Sequence, residues 1–216
     1  MSIVVAPKIK VCGMTKPSQV RQLVDMGVDA IGMILHASSP RLISLTQAQE
    51  IQRQIPAFVT LVGVFVDCDI KVVNDYIKQV PLDLIQLHGR ETPEYGARLA
   101  RPYIKALRAK TKSQVLESIG AYSNAKAILL DPYVQGKHGG TGMQLAPQTW
   151  PLADELPNSE QKLILAGGLS PANIVDSVKR FTPYAVDINS GVEVEPGIKN
   201  MDKVAECLNL IRSVNS

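Results

Sequence analysis

Eight short hydrophobic segments recur along the chain, and polar stretches separate them. Each segment is a mostly continuous run of Val, Ile, Leu and Ala, which is typical of strands that are buried on both faces of a parallel sheet. The predicted strands cover residues 8–12, 29–35, 58–67, 82–89, 103–107, 125–131, 162–168 and 184–191.

Several of the stretches between these strands have apolar residues at helical spacing. Gly27 follows one such stretch at the position that a helix end prefers, and Thr46 and Ser170 are predicted to cap the starts of two others. The predicted helices cover residues 17–27, 45–55, 170–181 and 201–214.

Repeated alternation of strands and helices requires right-handed crossovers between parallel strands. Eight such units in 216 residues predict a single-domain (β/α)8 barrel over residues 1–216, near the lower size limit of that fold. The alternative is an open, doubly wound sheet. It is less favoured because no predicted strand leads into a G-x-G-x-x-G turn, and the glycine-rich loops come late in the chain.

Composition narrows the function classes. Hydrophobic residues make up 45% and charged residues 20%, as in an ordinary globular protein. A net charge of +3 without a dense Lys/Arg cluster predicts no nucleic-acid partner. The chain contains no apolar run of about 18 residues, so no membrane span is predicted. The three cysteines lie far apart, which argues against a zinc site or a disulfide framework and favours a reducing cytoplasm.

In a (β/α)8 barrel the active site lies where the strands end, and Cys12 lies at the first of these ends. Cysteine is often only a small buried hydrophobic residue. Lys10 lies two residues earlier and therefore points to the same face. A nearby ammonium would lower the pKa of a thiol from its ordinary value of about 8.5. Cys12 is therefore a candidate base or nucleophile.

Each of four other polar residues at or after strand ends has two alternative roles. Asp131 is either a loop cap or a general acid, and Arg41 either binds a substrate carboxylate or forms a surface ion pair. His88 is either a polar contact for a ligand or a structural histidine. Asp187 either touches the substrate or holds Lys10 or another interior polar group.

Two glycine-bearing loops follow the last two predicted strands. Residues 166–174 contain Gly167 and Gly168, and residues 187–193 contain Gly191. Loops after strands seven and eight commonly bind phosphate in this fold, through backbone N–H groups and a helix N-terminus. A third loop, residues 137–144, is either a flexible surface loop or a mobile cover over the substrate.

Taken in order, these segments resemble the phosphoribosylanthranilate isomerase family of tryptophan biosynthesis. The matching motifs extend from Lys8 to Asn200 and read KVCGMT, GVDAIGMIL, SSPRLIS, VGVFVD, LIQLHG, LLDP, GGTG, LAGGLSPANI and AVDINSGVEVEPGIKN. The resemblance implies a (β/α)8 barrel that catalyses an Amadori rearrangement of a phosphoribosyl substrate without metal or cofactor.

The resemblance also implies residue roles. Cys12 would be the general base, Asp131 the general acid, and Arg41 the group that holds the anthranilate carboxylate. Backbone groups of Gly167, Gly168, Ser190 and Gly191 would hold the phosphate. The expected partner is a small-molecule sugar-phosphate substrate, and the chain is expected to be a monomer or a homodimer.

The chain departs from the family pattern in two places. Where the family usually has F-D-W after GGTG, residues 143–150 read MQLAPQTW, and where it commonly has DVSSG this chain has Asn189 in DINSG. The alternatives are the related isomerase of histidine biosynthesis, indole-glycerol phosphate synthase and a binding-only barrel. They are less favoured because Cys12 and Asp131 are both present, and because the first half has no copy of AGGLSPANI.

Overall fold

The computed structural model describes residues 6–132, 144–157 and 161–214. Eight parallel strands pair in chain order and the last pairs with the first, so the predicted closed barrel is confirmed and the open sheet is wrong. The strands are β1 Lys8–Val11, β2 Ala30–His36, β3 Thr60–Phe65, β4 Leu84–Leu87, β5 Tyr103–Ala109, β6 Ala127–Pro132, β7 Lys162–Ala166 and β8 Ala185–Ile188.

Helices follow most of the strands. The four predicted helices are present, and three shorter or weakly patterned ones were not predicted. They are α1 Pro17–Asp25, α2 Leu45–Gln52, α3 Ile70–Gln79, α4 Pro93–Ala97, α5 Lys112–Ala121, α6 Ile174–Phe181 and α7 Met201–Ser213. In the described part of the β6–β7 connection, the regular elements are the 3₁₀ turns Pro147–Thr149 and Ala153–Glu155.

A small hairpin follows β8, between a 3₁₀ turn at Ser190–Val192 and helix α7. Its strands are β9 Glu193–Glu195 and β10 Ile198–Lys199, which pair antiparallel. Thr15 Oγ1 donates to the Gly197 carbonyl at 2.7 Å, so the tip of the hairpin is attached to the loop after β1. The hairpin therefore lies at the same end of the barrel as the carboxyl ends of the strands.

Strand parity decides which side chains face the barrel interior. Ile104 and Ala106 belong to the interior cluster, whereas Tyr103 packs outward in the larger core between barrel and helices. The same parity in β1 turns Lys10 inward, and its ammonium bonds to Asp187 of β8. In β5, β6 and β8 the inward residues change from apolar to polar toward the carboxyl ends, where Arg108, Asp131 and Asp187 line the mouth.

Two predicted helix caps are wrong. Helix α2 is capped by Ser44 rather than Thr46, because Ser44 Oγ accepts from the Gln47 N–H at 3.2 Å and Gln47 Oε1 accepts from the Ser44 N–H at 3.0 Å. This reciprocal pair satisfies two free N–H groups at once. Helix α6 begins at Ile174 rather than after Ser170, because the intervening residues form a turn.

Candidate active site

The carboxyl ends of the strands surround a cavity of about 550 Å³. That volume lies within the range of roughly 300–1,000 Å³ that is usual for small-molecule sites. Eight of the nine predicted site residues line it, and they are Cys12, Arg41, His88, Asp131, Gly167, Gly168, Asp187 and Ser190. The ninth, Gly191, packs directly behind Leu169 and Ser170, at the junction of the two glycine loops.

Cys12 lies at the end of β1, where its N–H donates to the Ile188 carbonyl at 2.9 Å, and it is buried. The buried Lys10 ammonium donates to Asp187 Oδ1 at 2.8 Å, so Asp187 does hold Lys10. Gly32 of β2 makes room for both groups. A Cβ at Gly32 would lie 2.6 Å from Cys12 Sγ and 3.1 Å from Lys10 Nζ. The thiol and the ammonium therefore share one small space.

Burial raises the pKa of the Cys12 thiol above its ordinary value, because it disfavours the charged thiolate. The Lys10 ammonium opposes this effect, as the sequence predicted, while the Asp187 carboxylate adds to it. The expected net lowering of the thiol pKa is therefore wrong for the protein without ligand. Burial disfavours the charged form of Lys10, but Asp187 and Cys12 together outweigh this effect, and the pKa of Lys10 is raised.

Asp131 is inward-facing near the end of β6, and His88 is its neighbour across the mouth. His88 Nε2 lies 3.4 Å from Asp131 Oδ2. Gln86 Nε2 donates to His88 Nδ1 at 3.1 Å, which makes Nδ1 the acceptor and leaves the proton of a neutral imidazole on Nε2. His88 thus faces the carboxyl group with a donor, and Gln86 fixes its ring.

Arg41 lines the cavity with most of its side chain covered, and its partner is Glu193 of the hairpin. Nε donates to the two Glu193 carboxylate oxygens at 2.9 and 3.1 Å, and Nη2 donates to Oε2 at 2.6 Å. The sequence left a carboxylate site and an ion pair as alternatives for Arg41. An ion pair is present, but it lies at the mouth and engages one edge of the guanidinium.

The two glycine loops form a cradle of backbone N–H groups. Gly167 and Gly168 have φ of +94° and +58°, a region that side chains with a Cβ rarely adopt. Asn173 holds the first loop, because its side chain accepts from the Ser170 N–H at 3.0 Å and donates to the Gly168 carbonyl at 2.9 Å. Gly191 packs against the Leu169 carbonyl, so the second loop touches the first.

Within the described ranges, the N–H groups of Gly168, Ser190 and Gly191 donate no hydrogen bond. Three N–H donors from two adjoining loops suit an anion with several oxygens. The arrangement agrees with the predicted phosphate site, whose residue assignment stays a prediction.

Three site residues were missed from the sequence. Arg108 lines the cavity at the end of β5, because that strand runs past the predicted limit at 107. Inward parity with Ile104 and Ala106 could have indicated it. Glu193 and Lys199 were missed because the hairpin after β8 was not predicted, although the alternation of Val and Glu in residues 192–195 before Pro196 and Gly197 could have indicated it.

The atypical segment 143–150 is described from Gln144 onward. Trp150 is buried, and its ring packs on Phe181 at a centroid distance of 5.3 Å. An aromatic residue of this segment thus reaches the core beside α6. The predicted cover over the substrate, residues 137–144, lies outside the described residues except for its last position.

In the part of the chain that the structure describes, no three His, Cys, Asp or Glu side chains are arranged to hold a metal ion. A reaction without metal or cofactor stays a prediction. Among the same residues, no helix has both the length and the apolar character that crossing a bilayer requires.

The fold and the site together define a class, a (β/α)8-barrel enzyme with an inward-facing thiol and carboxyl group beside an anion cradle. Residues 9–209 match the family N-(5′-phosphoribosyl)anthranilate (PRA) isomerase. The chain belongs to this family.

The sequences of named relatives align with nearly the whole chain. The chain is 41% identical to N-(5′-phosphoribosyl)anthranilate isomerase of Pseudomonas fluorescens (strain SBW25) over 208 residues, which cover 96% of this chain and 97% of the relative. It is also 41% identical to the enzyme of that name from Thiobacillus denitrificans (strain ATCC 25259 / T1) over 200 residues, with 93% and 95% covered.

Solved structures of the same name also superpose closely. Phosphoribosyl anthranilate isomerase from Thermotoga maritima has a TM-score of 0.86 at 30% identity, and the match covers 96% of this chain and 99% of that one. A second structure holds reduced 1-(o-carboxyphenylamino)-1-deoxyribulose 5-phosphate, with a TM-score of 0.81, 30% identity and the same coverage.

Proposed function

We propose that this chain isomerises N-(5′-phosphoribosyl)anthranilate to 1-(2-carboxyphenylamino)-1-deoxyribulose 5-phosphate, with Asp131 as general acid and Cys12 as general base. The observation that carries the proposal is the common cavity. The Asp131 carboxyl group, the Cys12 thiol, Arg41 and two glycine loops line a single space in a chain of this family. The substrate has a matching carboxylate, phosphate and ring oxygen.

The first step is ring opening. Asp131 donates its proton to the furanose ring oxygen, the C1′–O bond breaks, and the lone pair of the anthranilate nitrogen forms a C1′=N double bond. His88 faces Asp131 from 3.4 Å and presents an N–H donor. In that position it stabilises the carboxylate that remains after proton transfer.

The second step removes the proton at C2′. The Cys12 thiolate takes this proton, and the C–H electron pair forms a C1′=C2′ bond while the C=N pair returns to nitrogen. The resulting enolamine gains a proton at C1′ and loses one from the C2′ hydroxyl, which gives the ketone. Lys10 is the cation beside the thiol, and it favours the thiolate that the step needs.

The remaining residues bind the substrate in this proposal. Arg41 binds the anthranilate carboxylate, and the N–H groups of Gly167, Gly168, Ser190 and Gly191 bind the phosphate.

Asp187 acts through Lys10, with which it forms a buried ion pair. Arg108 presents a second guanidinium to the cavity, and no hydrogen-bond partner for it is found within the described ranges.

A growth test addresses the reaction itself. A bacterial tryptophan auxotroph that lacks this isomerase is expected to grow when it expresses the chain, and not when it expresses the Asp131→Asn variant. A histidine auxotroph that lacks the related histidine-pathway isomerase serves as the second arm. Rescue of that strain alone would replace the proposed reaction with the histidine-pathway one.

For the oligomeric state we propose either a homodimer or a monomer, since one structural relative is described as monomers generated from a dimeric isomerase of Thermotoga maritima. Every group assigned a chemical role above lies in one chain, so neither assembly changes the mechanism. We place the enzyme in the cytoplasm, the reducing compartment that suits three free cysteines.

Gly32→Ala is expected to lower kcat by about 100-fold, because the new Cβ displaces the Cys12 thiol from its position beside Lys10. The affinity for phosphate ligands should change little, since the glycine loops lie on other strands. Steady-state kinetics with circular dichroism of both proteins checks this result. Full activity in Gly32→Ala would mean that the thiol needs no fixed position.

Gly191→Ala is expected to weaken binding of the reduced product analogue about tenfold or more, the equivalent of losing one charge-assisted hydrogen bond. A Cβ at this position would overlap the Leu169 carbonyl and force the two loops apart. Isothermal titration calorimetry measures the change.

Gly120→Ala is the matched control for this substitution. Gly120 lies in α5, and nothing lies within 4 Å of the Cβ it would gain. This variant should bind the analogue as the parent does, with stability increased by roughly 0.5–1 kcal/mol. Equal binding by both variants would remove Gly191 from the phosphate site.

A further inference from the structure

The side chain of Arg41 is held by a carboxylate that is itself held by a buried lysine. Glu193 Oε1 accepts from Lys199 Nζ at 2.7 Å, from the Gly197 N–H at 3.1 Å and from Arg41 Nε at 2.9 Å, while Oε2 accepts from Arg41 Nη2. Lys199 is 2% exposed. A buried ammonium and a nearly buried carboxylate are costly unless both are paired, so this arrangement is strongly specified.

Lys199 is also fixed from two further directions. Its ammonium donates to Asn189 Oδ1 at 2.8 Å and to the Asn189 carbonyl at 3.3 Å, and Asn189 lines the cavity. Its backbone N–H donates to Gln19 Oε1 at 3.0 Å, while Gln19 Nε2 donates to its carbonyl at 2.7 Å. The hairpin therefore joins helix α1 and the loops after β2 and β8 into one unit.

The charges in this unit favour an anion in the cavity. Burial opposes ionisation of Glu193, but hydrogen bonds from Arg41 and Lys199 outweigh it and lower the pKa of the carboxyl group. Burial lowers the pKa of Lys199, and Glu193 opposes that change. One carboxylate between two cations leaves a net positive charge beside the ligand.

Glu193 occupies only one edge of the guanidinium. It accepts from Nε and Nη2, so it fixes the plane of the group and leaves the Nη1 side for another acceptor. Gly13 makes room for this placement, since a Cβ there would lie 2.7 Å from Arg41 Cδ and 2.8 Å from Asn189 Oδ1. An arginine that is held in this way loses less freedom when it binds a carboxylate.

We propose that Glu193, held by Lys199, is a positioning residue that orients Arg41 and thereby sets the affinity for the carboxylate of the substrate. The inference rests on the proposed function, because that function supplies a carboxylate for Arg41. It predicts a loss that is confined to ligands with this carboxylate. A residue that only stabilised the loops would weaken binding of all phosphate ligands alike.

The test compares two ligands in two proteins. One ligand is reduced 1-(o-carboxyphenylamino)-1-deoxyribulose 5-phosphate, and the other is the same molecule without its ring carboxylate. In the Glu193→Gln variant, the preference for the carboxylated ligand is expected to fall about tenfold, the equivalent of one charge-assisted hydrogen bond. The amide has a single acceptor oxygen, so it cannot serve Arg41, Lys199 and the Gly197 N–H together.

Glu155→Gln is the matched control. Glu155 also pairs with a lysine, Lys112 at 3.0 Å, and accepts from the Leu152 N–H at 2.6 Å, but it does not line the cavity. This variant should keep the full preference. In an Arg41→Gln background, Glu193→Gln should cause no further loss for the carboxylated ligand, because the two residues act as one unit.

Comparing two ligands within one protein cancels any loss of folded material, and Lys199→Gln serves as a second variant if Glu193→Gln folds poorly. Equal weakening for both ligands, or an unchanged preference in Glu193→Gln, would overturn the positioning role. Failure of the parent protein to bind either ligand would instead overturn the proposed function. The two failures are therefore distinguishable.

Discussion

Asp131→Asn is expected to lower kcat by about 10²- to 10⁴-fold, the usual contribution of a general acid, because the amide has no acidic proton to give to the ring oxygen. The substitution keeps the shape of the side chain and leaves it beside His88. Binding of the reduced product analogue should therefore remain within about twofold of the parent.

Single-turnover kinetics and calorimetric titration separate these two effects. Asp75→Asn is the matched control, since Asp75 forms an exposed ion pair with Lys78 on α3 and does not line the cavity. Near-normal turnover by Asp131→Asn would contradict the assignment of the acid. Loss of ligand binding in parallel with turnover would assign Asp131 to binding instead.

Cys12→Ser is expected to lower kcat by a factor of the same size, about 10²- to 10⁴-fold, because a hydroxyl holds its proton far more tightly than a thiol. The pH profile distinguishes loss of the base from loss of structure. Burial raises the pKa of the Cys12 thiol, so its thiolate forms at higher pH than that of an ordinary exposed thiol.

In the parent protein, kcat/KM should therefore increase with pH above the ordinary thiol pKa of about 8.5, until another group limits it. The variant should lack this rising limb, since serine does not titrate there. Cys68→Ser is the control, because Cys68 is a buried thiol outside the cavity. A rising limb that persists in Cys12→Ser would assign the base to another residue.

Much of the fold could be predicted from the sequence, because strands buried on both faces are continuous apolar runs. The start of β7 was predicted at its observed residue, Lys162, and its predicted end included the two glycines that follow Ala166. Helices α3 to α5 were not predicted. Helix α4 is only five residues long, whereas α3 packs Val73, Tyr76 and Ile77 against the core at helical spacing, a pattern that could have indicated it.

The sequence could also predict which residues meet at the mouth, because strand ends in a closed parallel barrel lie together. It could not predict partners that depend on distant loops. Arg41 and Glu193 are 152 positions apart, and their contact exists only because the hairpin folds back over the mouth. The pKa of Cys12 was misjudged for a similar reason, since the sequence shows Lys10 but not the depth of burial.

A fluorescence time course with phosphoribosylanthranilate generated in place tests the central claim most directly, because the anthranilate emission of the substrate changes as the ketose forms. The account predicts a loss of emission that depends on the parent protein and is abolished or greatly slowed with Asp131→Asn and Cys12→Ser, although both variants still bind the reduced product analogue. An unchanged emission with folded parent protein and confirmed substrate would contradict the proposed reaction. A full-rate loss with either variant would contradict the acid–base pair.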